Sequence, residues 1–60
     1  MINPEIEALE IRASKLRLRM THVLAANGIA PSTWWRWRHG KAAPRPSKLR
    51  EVARAIEDAA

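Results

Sequence analysis

Apolar residues recur along this chain at helical spacing, and no stretch alternates with the period of two that a half-buried strand requires. Ile6, Leu9, Ala13 and Leu16 stand three, four and three positions apart, which places them on one stripe of a helix. Asn3-Pro4-Glu5 supplies its start: asparagine caps, proline takes the first helical position, and Glu5 and Glu7 suit the positive end of the dipole. The pattern predicts helix 1 from Pro4 to about Leu16, with Leu18 a buried linker residue. No glycine or proline marks the next junction. Met20, Val23, Leu24 and Asn27 predict a short helix 2 from Met20 to Asn27, ended by Gly28. Helix 3 runs from Pro31 to His39, because proline is preorganised for the first helical position and Gly40 for a left-handed stop. Lys41 to Ser47 is a loop by its two prolines. Helix 4 begins at Pro46 or Ser47, buries Leu49, Val52, Ala53 and Ile56, turns Arg50, Glu51 and Arg54 outward, and ends by Asp58 or Ala59. The expected fold is all-α, in one domain over residues 1–60.

Helix 3 carries the unusual residues. Trp34 and Trp37 are three apart and share a face, so both are expected to be fully buried, while Trp35 is turned about 100° from Trp34. The opposite face holds Ser32, Trp35, Arg36 and His39. Arginine's planar fork donates two bonds at once to guanine O6 and N7, which makes Arg36 the first candidate for reading a base. Arg38 lies on the flank, facing phosphate or solvent. A solvated helix surface is the alternative for Ser32, Trp35 and His39, and Trp35 has a further one in packing on a neighbouring side chain or a dimer mate. Thr21 is a candidate phosphate ligand at the start of helix 2, or equally an ordinary cap.

Charge changes the picture. Eleven basic residues against six acidic ones give a net charge of +5, and no acid occurs between Arg12 and Arg50. A block of 39 residues holding ten of the eleven positive charges suits a polyanion, and nucleic acid is the commonest such partner. Arg12, Lys15, Arg17 and Arg19 read first as the solvated face of helix 1 and its end. Sixty residues without a cysteine exclude disulfides and thiolate zinc sites. His22 and His39 are far apart and have no carboxylate cluster beside them, so no metal or other cofactor is expected. No apolar run approaches the ~20 residues of a membrane span, and the acidic N-terminus is unlike a basic leader, so the protein is expected in the cytoplasm.

From Val23 to Ile56 the chain resembles the lambda-repressor-like, Cro-type helix-turn-helix family of phage and prophage regulators. The matching residues are Leu24 four before the turn glycine Gly28, Ile29 after it, Trp34 and Trp37, Gly40, Pro44, and Leu49, Val52, Ala53 and Ile56. W-x-R-W-x-x-G, from Trp34 to Gly40, is the most specific segment. Ala30 stands where the family has a serine or threonine cap, Leu24 where it has a small residue, and Trp35 where it has a short polar one. The resemblance implies a compact bundle of four or five short helices containing a helix-turn-helix. Helix 3 would enter the major groove of duplex DNA, with a homodimer on a palindromic operator in the bacterial nucleoid. It assigns Pro31, Ser32, Trp35 and Arg36 to the bases with His39 at the edge, and Arg19, Thr21, Lys41, Arg45 and Lys48 to phosphates. No separate ligand-sensing or oligomerisation domain and no small-molecule ligand are expected.

The function expected is therefore repression of transcription by a sequence-specific DNA binder. A protein-interaction module, such as an antitoxin-like protein or a regulator-binding partner anchored by Trp35, is the alternative. A membrane-active cationic peptide is suggested by W-W-R-W-R, but the loop prolines, the acidic termini and three further amphipathic helices specify a globule. No enzyme is expected, for the chain has no paired carboxylates, no nucleophile beside a base and no glycine-rich phosphate loop.

Overall fold

A computed structural model describes residues 2–59. Four helices follow one another: α1 (Pro4–Lys15), α2 (Met20–Ala26), α3 (Pro31–Arg38) and α4 (Pro46–Asp58). No strand and no fifth helix occurs among the described residues, and the helix ends fall within about a residue of those the pattern predicts. The radius of gyration is 10.5 Å, which matches the ~10.4 Å of a close-packed chain of this length.

Each helix starts for a local reason. Asn3 caps α1, its Oδ1 accepting the Glu5 N–H at 3.0 Å. Pro31 and Pro46 open α3 and α4, and α2 follows an extended Arg19. None of these three has a side-chain cap, as expected where Ala30 precedes α3. Thr21 is not a cap, because α2 begins one residue earlier, at Met20.

The stops share one device. Gly28 and Gly40 adopt φ of 68° and 71°, and the residue after each donates back to a carbonyl five positions earlier: Ile29 to Leu24 at 2.9 Å, Lys41 to Arg36 at 2.8 Å. This double-bonded left-handed stop satisfies carbonyls that the helix end would leave open. α1 ends the same way without a glycine: Arg17 has φ of 58°, and the Leu18 N–H reaches the Ala13 carbonyl at 2.9 Å. An L-residue with a Cβ pays about 1 kcal/mol for that conformation, so Arg17→Gly should raise stability by roughly 0.5–1 kcal/mol despite the looser unfolded chain. Urea denaturation measures this, and a destabilised variant would show that the Arg17 side chain contributes more than its backbone costs.

The core gathers Ile6 and Ala13 from α1, Val23 and Leu24 from α2, Ile29 from the turn, Trp34 from α3, and Val52 and Ile56 from α4. α1 touches all three other helices, and α3 packs on α1 and α2 but not on α4. That gap corrects one expectation. Trp37 packs against the edge of the core but is only half-buried, because the α4 backbone does not come close to α3. It lines a groove of about 470 Å³ between the α2–α3 turn and the start of α4 with the segment leading into it. Leu18 is likewise half-buried rather than buried.

Candidate nucleic-acid interface

α3 is held from behind by α1. Glu10 lies four residues after Ile6 and three before Ala13, hence on the inward side of α1. Its Oε2 accepts the indole N–H of Trp34 at 3.1 Å, and its Oε1 pairs with the Arg38 guanidinium at 3.2 Å. The Asn3 N–H adds a bond to the Arg38 carbonyl at 2.9 Å. One carboxylate thus satisfies the polar edge of a buried tryptophan and fixes the far end of α3. Arg38 therefore has an acidic partner in the fold, although its side chain stays 45% exposed. Trp34 meets Trp37 edge-on, ring centroids 5.9 Å apart at 62°, an arrangement that aromatic quadrupoles favour.

The outward side of α3 presents Pro31, Ser32, Trp35 and Arg36, all exposed. His39 is half-buried, its ring centroid 4.4 Å from that of Trp35 and tilted by 40°. The two rings stand four apart, one turn along the helix, so each restrains the other. Every residue assigned to the bases is thus placed on one helix by a single face, with His39 at its edge.

Ion pairing sorts the cations. Glu10, Glu51, Glu57 and Asp58 hold Arg38, Lys48, Arg12 and Arg54 respectively. The Arg12–Glu57 pair joins α1 to α4 through bonds of 2.8 and 3.2 Å. The hydrogen bond from Arg12 holds the Glu57 carboxyl below its ordinary value, and the same bond raises the guanidinium. Among the described residues, Lys15, Arg17, Arg19, Arg36, Lys41, Arg45 and Arg50 have no acidic partner. The first turns of α2, α3 and α4 contain no acid of their own, so the positive dipole ends of these helices are not neutralised from within the helix.

The residues assigned to phosphates do not form one cluster. Arg45 and Lys48 line the groove that Gly28, Ile29, Ala30 and Trp37 also line, next to the start of α3. Lys41 is exposed immediately beyond the α3 stop, and Thr21 is exposed in the first turn of α2. Arg19 lines a different groove, with Arg17, His22 and Ala59. Lys48 has partners within the chain: its ammonium donates to the Asn27 carbonyl at 3.0 Å and pairs with Glu51 at 3.3 Å. It closes the open end of α2 and ties α4 to it. Asn27 reinforces that end by donating its amide to the Val23 carbonyl at 2.8 Å.

Among the described residues no group of three or more histidine, aspartate or glutamate side chains is placed to hold a metal ion, and no helix is long and apolar enough to cross a membrane. Against protein families, curated proteins and solved structures, the chain finds no match.

Proposed function

We propose that this chain is a sequence-specific double-stranded DNA binder that represses transcription in the bacterial cytoplasm, in the manner of the lambda-repressor-like regulators it resembles. In this reading α2, the turn over residues 27–30 and α3 form a helix-turn-helix, and α3 enters the major groove. The observation that carries it is the two-sidedness of α3. Its inner face is locked by Glu10, and its outer face offers an unpaired Arg36 beside Trp35 on a stretch of chain that has no acid. An α-helix fits the major groove, and a single arginine there distinguishes guanine by two parallel bonds. Arg45, Lys41 and Arg19, all without an acidic partner among the described residues, supply phosphate contacts and with them most of the affinity and its salt dependence. Two copies on a palindrome would double the site.

Arg36→Ala should weaken binding to the preferred site by roughly 1–3 kcal/mol and leave random duplex nearly unaffected. Equal losses on both, measured by fluorescence anisotropy, would make Arg36 a phosphate contact and remove the base-reading role. A second reading has one observation in its favour: Trp35 is 50% exposed, and an exposed tryptophan beside arginine is a common anchor of protein interfaces. It requires a partner protein whose capture fails in Trp35→Ala while DNA binding persists.

A further inference from the structure

Trp35 is the largest apolar side chain left in the open among the described residues, at 50% exposure. The His39 ring, four residues on at the cap of α3, lies against it with ring centroids 4.4 Å apart and planes tilted by 40°. A large ring restrained by a neighbouring ring loses less side-chain freedom when it meets a ligand, which favours a preorganised contact. Its surroundings narrow the ligand. Arg36 is adjacent, Lys41 follows the α3 stop, and neither has an acidic partner among the described residues. The unpaired positive charge of this face attracts a polyanion, and on a polyanion the exposed indole gains most from an apolar feature that it can cover. In the major groove of duplex DNA only one base edge has such a feature, the 5-methyl group of thymine.

We infer that the Trp35–His39 pair is a specificity element that reads thymine methyl groups, next to the base edge read by Arg36. The inference rests on the proposal that α3 occupies the major groove. Trp35 covers the methyl and excludes water from it, and His39 sets the plane of the indole. The division of labour is chemical: the guanidinium detects hydrogen-bond acceptors, and the indole detects the hydrocarbon that distinguishes thymine from uracil.

The test uses duplexes carrying the site recovered from a random pool by the intact protein, with each thymine in turn replaced by deoxyuridine. That change deletes one methyl and keeps every hydrogen-bonding group. Burying one such group is worth about 0.8 kcal/mol, so the expected loss is about four-fold at one or two thymines per half-site. The loss should vanish in Trp35→Ala and in Trp35→Gln, and shrink in His39→Ala, with the folded helical spectrum retained in all three because the substituted side chains lie outside the core. A selected site without thymine in its half-sites, or methyl effects of the same size in the Trp35 variants, would overturn the inference and leave the DNA-binding role standing. No preference for any sequence would remove both.

Discussion

Trp34→Ala should leave the chain unfolded at room temperature. Trp34 is 5% exposed at the junction of α1, α2 and α3, and truncating a buried tryptophan costs about 3–5 kcal/mol through lost burial and the cavity left behind. The whole domain has little more than that to lose, since ~0.05–0.15 kcal/mol per residue gives roughly 3–9 kcal/mol for a chain of this size. The substitution also removes the edge contact to Trp37 and one of the two bonds made by Glu10. Trp34→Phe separates these causes. It keeps most of the hydrocarbon and loses the indole N–H, so it should stay folded with a loss nearer ~1–3 kcal/mol. Circular dichroism during urea titration reads both variants, and a Trp34→Ala chain that melts within about 1 kcal/mol of the parent would mean that α3 is not seated through this residue.

Ile6→Ala should cost nearly as much, about 2–5 kcal/mol. Ile6 is fully buried, as are Val52 and Ile56 in the same cluster, so the start of α1 belongs to the core. The control lies in the same helix. Ile11 is 50% exposed, and Ile11→Ala should change stability by no more than about 0.5 kcal/mol. Matching losses at the two isoleucines would contradict the packing of α1 on the other three helices.

The elements are largely legible in the sequence, because their signals are local. Pro4, Pro31 and Pro46 mark starts, Gly28 and Gly40 mark stops, and the stripes of α1 and α4 give their faces. Ile11 stands outside the predicted stripe and is exposed. The end of α1 follows from its apolar stripe to within a residue, but the form of its stop does not, because the left-handed residue is an arginine, which carries no mark of the conformation it adopts. Trp37 was misjudged for another reason. Periodicity tells which side chains share a face but not whether a second element arrives to cover them, and α4 does not reach α3.

The site was legible as a face and not as a set of partners. Ser32, Trp35 and Arg36 lie open on one side of α3, as their spacing requires. Composition displays the excess of positive charge but not which cations are already spent: Arg38 on Glu10 and Lys48 on Asn27 and Glu51. These depend on pairings distant in the chain. Glu10 was missed as the residue that orients α3. The signal existed, since Glu10 falls between Ile6 and Ala13 on the buried side and a buried indole N–H needs an acceptor.

Selection from a random pool of duplex DNA at near-physiological salt, with a parallel salt titration, decides whether α3 reads sequence. The expected result is a recovered palindrome with a guanine in each half-site whose replacement weakens the parent protein but not Arg36→Ala. Affinity should fall with a slope of about 0.9 in log–log terms for each phosphate contacted. Binding without any recovered motif, or no binding to duplex DNA, would contradict it.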